Sequence, residues 1–118
     1  MKPAWTHYLK GKRRKRGEMN ATEAKYAAHL EGQKLLGGVL WFAFEGVTLR
    51  LAKDMRYTPD FIVQVADGML EIHEVKGFWG ETGRLKIKMA ANLFPFRFRA
   101  FRAKAKKDGG GWAIEEFE

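Results

Sequence analysis

Hydrophobic and polar positions alternate along most of this chain, and the alternation changes period at defined points. Residues 20–36 read as a helix, with Glu23, Tyr26, Ala27 and Leu30 on one face. Asn20 suits the N-cap and Gly37-Gly38 supplies a stop. Leu40, Phe42 and Phe44 then alternate with Trp41 and Ala43, and Val47, Leu49 and Leu51 alternate with polar residues, which predicts two strands separated by Glu45-Gly46. Asp54 begins a turn. Two further strands fill residues 57–76 and meet at Asp67-Gly68, a strong hairpin signal. Leu85, Met89 and Leu93 repeat every four residues, which predicts an amphipathic helix over 84–93, ended by Pro95. Residues 96–102 alternate aromatics with arginines, as an edge strand with one buried face would. A loop at Asp108-Gly109-Gly110-Gly111 precedes a last strand at 112–117. The order α–β–β–β–β–α–β–β predicts an α/β fold in which helices pack on a sheet, with strand pairing beyond the hairpins left open. Residues 19–118 read as a single domain behind a basic arm, 1–18, that disorder would suit until a polyanion is present.

The hairpin carries the candidate chemistry. Asp60 opens its first strand, and Glu74 and Lys76 close its second on one face, because strand side chains alternate. Folding at the turn brings Asp60 level with Glu74. Two carboxylates and an ammonium then meet at one end, an arrangement that can hold a divalent metal with a lysine beside it. Taken singly, each residue has an ordinary explanation: Asp60 as a turn cap after Pro59, Glu74 and Lys76 as a surface ion pair. Glu23 has two readings. Its helix face turns it towards the sheet as a further ligand, while Asn20-x-x-Glu23 also matches a capping box.

Pro59-Asp60, thirteen intervening residues, then Glu74-Val75-Lys76 resembles the signature of the PD-(D/E)XK nuclease superfamily. The upstream helix with Glu23, the helix after the Glu-x-Lys strand and the two closing strands follow the order of that restriction-endonuclease-like core. The resemblance covers residues 20–118 and is closest to a small phage-associated branch similar to Holliday junction resolvases and virus-type replication-repair nuclease domains. It implies a metal-dependent endonuclease that hydrolyses DNA phosphodiester bonds in recombination, repair or DNA processing, leaving a 5′-phosphate and a 3′-hydroxyl. It implies Mg2+, with Mn2+ able to substitute, held by Asp60, Glu74, the Val75 carbonyl and Glu23. Lys76 would orient the attacking water, and Lys86, with Lys88 as second choice, would contact the scissile phosphate.

Charge supports the same partner. The 118 residues carry a formal net charge of +8, concentrated in Lys10, Lys12, Arg13, Arg14, Lys15 and Arg16 and again in Arg97, Arg99, Arg102, Lys104, Lys106 and Lys107. Such clusters favour phosphate backbones through counterion release, in duplex, branched or junction DNA. RNA stays open as a substrate, and a homodimer would supply two active sites. The chain has no cysteine, which excludes disulfides and cysteine-ligated zinc. His7, His29 and His73 form no zinc pattern, and His73, on the face opposite Glu74, is expected to be structural or outward. With no apolar run of transmembrane length and no signal-peptide core, a soluble cytoplasmic protein without a membrane partner is expected, in a bacterial host if phage-encoded. Two other readings remain: a catalytically silent nucleic-acid-binding module, and a docking protein of a phage DNA-processing complex.

Overall fold

The computed structural model describes residues 17–76 and 80–118. Helix α1 spans Ala21–Leu35 and opens with a complete capping box: the Asn20 side chain accepts from the Glu23 N–H, and Glu23 accepts from the Asn20 N–H. Tyr26 and Leu30, four residues apart, form its buried stripe. Gly37, at a φ of 86° that disfavours a Cβ, turns the chain into β1, Val39–Phe44. A bulge between Val39 and Trp41 breaks the simple alternation, so Phe42 and Phe44 pack on Phe61 while Leu40 is left 50% exposed.

Strands β2, Leu49–Ala52, and β3, Met55–Tyr57, pair with each other as a separate two-stranded sheet. The segment expected to be a turn and a strand start is therefore a hairpin of its own. Asp54, with φ at 62°, makes its turn. Strands β4, Phe61–Val65, and β5, Leu70–Val75, form the second hairpin. Gly68 supplies a φ of 89° there, and Asp67 Oδ1 accepts from the Met69 N–H at 2.9 Å. Helix α2, Glu81–Leu93, crosses over to β6, Arg97–Ala103, which lies parallel to β5. A 3-10 turn at Lys106–Asp108 leads to the edge strand β7, Trp112–Phe117.

The main sheet has the order β1-β4-β5-β6-β7, mixed in direction, and the fold is a mixed α/β one. Each face has its own core. Tyr26 and Leu30 of α1 meet Val39, Phe61, Val63, Val75 and Phe101 on one face. Ile87 and Ala90 of α2 meet Ile62, Ile72, Phe98 and Ala100 on the other, where Leu49, Leu51 and Tyr57 of the small hairpin complete the layer.

Two expectations are corrected. The buried stripe of α2 is Ile87 and Ala90, not Leu85, Met89 and Leu93; Leu85 and Leu93 are 54% and 52% exposed and Met89 is half-buried. At about 100° per residue, the four-residue repeat marks a face more than a quarter turn round the helix from the buried pair. Strand β6 is interior, not an edge. Its arginines are tolerated there because the register sets Arg97 directly beside Glu71 on β5, and Arg97 Nη1 donates to Glu71 Oε2 at 2.5 Å.

Candidate active site

The β4–β5 register pairs Phe61 with His73, so the next step along each strand brings Asp60 beside Glu74. The contact is direct. The Asp60 N–H donates to Glu74 Oε1 at 3.0 Å, and the Val75 N–H donates to Asp60 Oδ2 at 2.8 Å. Lys76 Nζ sits 3.2 Å from Glu74 Oε2. Tyr57, at the end of β3, donates its hydroxyl to Glu74 Oε1 at 2.9 Å. Glu74 is only 4% exposed, so a charged carboxylate here depends on these donors.

The electrostatics follow from this crowding. Burial, and then the neighbouring Glu74, push the Asp60 carboxyl up to about 8, against the pull of the Val75 N–H and Lys76. Burial works against the Lys76 ammonium, but Glu74, Asp60 and Glu23 outweigh it and hold its pKa above the ordinary lysine value. Burial and the charge and hydrogen bond of Glu74 push the Tyr57 phenol far up, so it stays a donor at any physiological pH.

The donor set suits a hard cation in part. Asp60 Oδ1 accepts no hydrogen bond from the described residues, and the second carboxylate stands beside it. The Val75 backbone faces the same way: its N–H reaches Asp60, while the next N–H, of Lys76, turns to Phe101 O on the other side. In a strand the N–H and C=O of one residue share an edge, so the Val75 carbonyl faces the Asp60 side as well. Among the described residues, however, no three His, Cys, Asp or Glu side chains cluster closely enough to hold a metal. Glu23 is close enough to act on Asp60 and Lys76 electrostatically, but its Oε1 is committed to the Asn20 cap.

The other candidates are distributed around this point. Lys86 Nζ reaches the Arg56 carbonyl at 3.4 Å, which sets it against the small hairpin. Lys88 is exposed on α2 and acts on Glu115, whose carboxylate is gripped by Arg84 through both guanidinium nitrogens. Lys10, Lys12, Arg13, Arg14, Lys15 and Arg16 lie outside the described residues, as do Gly77, Phe78 and Trp79 just past the site.

Sequence reasoning missed two features. Tyr57 is one; its place three residues before Asp60 carried no signal that it would fold inward. The other is a polar network on the opposite face of β5. His73 is buried, with Nδ1 2.7 Å from the Tyr26 hydroxyl and Nε2 2.8 Å from Glu71 Oε1. Burial holds its pKa below the ordinary value, so the ring is neutral and Nε2–H donates to Glu71. The structural reading of His73 is the one observed, and the alternation of Glu71 and His73 with Glu74 foreshadowed the face. Arg97 and Arg99, counted in the basic C-terminal cluster, are partly spent on Glu71 and Glu116. Among the described residues no helix is long and apolar enough to cross a membrane. No family model, curated protein or solved structure matches the chain.

Proposed function

We propose that this chain is a metal-dependent nuclease of the PD-(D/E)XK type that hydrolyses DNA phosphodiester bonds. The observation that carries the reading is the Asp60–Glu74 lock with Lys76 at its side: two carboxylates and an ammonium converge at one end of a buried hairpin. Burial first, and then the Glu74 carboxylate, raise the Asp60 carboxyl to about 8, and a bound cation would relieve the second of these.

Asp60, Glu74 and the Val75 carbonyl are the residues that would hold Mg2+ or Mn2+, with Glu23 completing the set through Oε2. A divalent cation so bound supplies charge neutralisation at the phosphate and a more acidic water. The remaining work belongs to the chain. Tyr57 and the Asp60 N–H fix the Glu74 carboxylate, so its orientation is set before substrate arrives. Lys76, charged and half-buried, holds the attacking water and offsets charge at the phosphate. Lys86, on the helix that follows, would contact the same phosphate backbone.

The test is cleavage of single-stranded, duplex, flap and four-way junction DNA, and of single-stranded RNA, with Mg2+ or Mn2+ beside an Asp60→Ala control. Metal-dependent cutting that the variant loses is the expected result. Tight, salt-sensitive binding without cutting of any substrate would instead favour a silent binding module.

A further inference from the structure

We propose that the β2–β3 hairpin is a phosphate grip, in which Arg50 and Arg56 together bind the backbone of a nucleic acid next to the Asp60–Glu74 site. The inference deepens the nuclease reading and rests on it for the choice of nucleic acid among polyanions.

The register carries the argument. Arg50 and Arg56 are directly opposite each other across the hairpin. Leu49, Leu51 and Tyr57 take the inward face, so both arginines are exposed on the outward one. Like charges directly opposite in a sheet are destabilising, because their Cβ atoms are only about 5 Å apart. Among the other described arginines, Arg84 faces Glu115, Arg97 faces Glu71, and Arg99 faces Glu71 and Glu116, while Arg102 is exposed with no cross-strand arginine opposite it. Arg50 and Arg56 form no ion pair with any described carboxylate. Asp54, the acid of this hairpin, sits at its turn beside the exposed Lys53. Helix α2 adds a further cation, since Lys86 Nζ rests on the Arg56 carbonyl. Two guanidiniums held side by side without an acid match the anionic oxygens of a phosphodiester chain, which they can meet in bidentate fashion.

Position ties the grip to the site. Arg56 points outward and its neighbour Tyr57 points inward to Glu74 Oε1. One three-residue strand thus carries a phosphate contact on one face and the orienting donor of a candidate ligand on the other. A membrane surface fits this face less well, because Arg50, Ala52 and Arg56 offer no apolar side chain large enough to insert.

The experiment measures binding of metal-free protein in EDTA to a short labelled DNA duplex, single-stranded DNA and single-stranded RNA across a salt series. Wild type is compared with Arg50→Gln/Arg56→Gln and with Arg50→Glu. The double variant is expected to bind at least about tenfold more weakly, with the slope of log K against log salt reduced by about two on duplex. The arm that loses most identifies the nucleic acid gripped. Arg50→Glu places opposite charges across the strands, so it should hold or raise the melting temperature while weakening binding. That pairing of effects excludes simple unfolding as the cause. Unchanged affinity and slope on all three probes would overturn the grip. Failure of the nuclease reading looks different: wild type would cut nothing with metal while these binding losses persisted.

Discussion

Asp60 and Glu74 are each fastened to the strand that carries the other, Asp60 through its N–H to Glu74 Oε1 and the Glu74 strand through the Val75 N–H to Asp60 Oδ2. The two bonds fix the separation of the carboxylates without relying on side-chain packing. They also bring like charge into a partly buried space, and the cost of that charge can be measured as a dependence on pH.

Asp60 has a carboxyl raised from 3.8 to about 8 in the folded chain, first by burial and then by Glu74. The folded state therefore holds a proton that the unfolded state releases. Its contribution to stability is fully present below about pH 4 and is lost as pH rises to about 8. Metal-free wild type should lose melting temperature across this window relative to Asp60→Asn. Added Mg2+ must displace the proton, so the stabilisation it confers should grow over the same window and vanish in Asp60→Ala and Glu74→Ala. Thermal melts at a series of pH values, with and without Mg2+, read both effects. A wild-type profile parallel to that of Asp60→Asn would remove the basis for the raised carboxyl.

Tyr57→Phe removes one hydroxyl and leaves the ring in the core. The variant should lose about 1.5–3 kcal/mol of stability, the range for a hydrogen bond to a charged group. Metal affinity or cleavage should fall by about 10- to 100-fold, as when a partner that orients a ligand is removed. Isothermal titration with Mn2+ and a cleavage assay separate the two. Full metal affinity in this variant would show that Glu74 is oriented without the tyrosine.

Lys76→Ala should abolish cleavage while the Mg2+-dependent rise in melting temperature survives. Its ammonium neutralises Glu74, so the metal-free variant should melt lower than wild type, and Mg2+ should recover part of the difference. Cleavage at the wild-type rate would remove Lys76 from the mechanism.

Glu23 can be tested for its two roles separately. Gln at the third helical position preserves a capping box but carries no charge. Glu23→Gln should therefore keep the metal-free melting temperature while weakening Mg2+ binding, and Glu23→Ala should in addition cost about 0.5–1 kcal/mol through the lost bond from the Asn20 N–H, the Asn20 cap itself remaining. Unaltered Mg2+ binding in Glu23→Gln would leave the residue as a cap alone.

The hairpin at Asp67-Gly68 and the level placement of Asp60 with Glu74 were legible because both depend on local rules, turn chemistry and side-chain alternation. Helix α1 was legible for the same reason, down to its Asn20 cap. What escaped depended on partners distant in sequence. The small β2–β3 hairpin hides in a stretch where Asp54 signals only a turn, and Tyr57 acquires its role from Glu74, seventeen residues away. Strand β6 was misread as an edge because Arg97 and Arg99 look solvent-bound until Glu71 is set beside them. The stripe of α2 was misplaced because leucines spaced by four satisfy an amphipathic pattern as well as Ile87 and Ala90 do, and only the sheet packed against the helix selects between the two faces.

Glu71 gives the last prediction, because its network lies on the face of β5 opposite the candidate site. Its side chain is 2% exposed and meets His73, Arg97 and Arg99. Burial pushes its pKa up, but the hydrogen bonds from His73 and Arg97 and the charge of Arg99 prevail and hold it below the ordinary value. Glu71→Ala would strip the acceptor from a buried imidazole and leave two guanidiniums without their shared carboxylate. Removing one partner of such a group costs about 3 kcal/mol or more, so the urea midpoint should fall sharply. Glu71→Gln keeps an acceptor for His73 and should lose less. Below the unfolding transition, both variants should cut DNA at close to the wild-type rate, since Asp60, Glu74 and Lys76 do not depend on this face for their contacts. A folded Glu71→Gln protein without cleavage would show instead that the two faces of β5 are coupled.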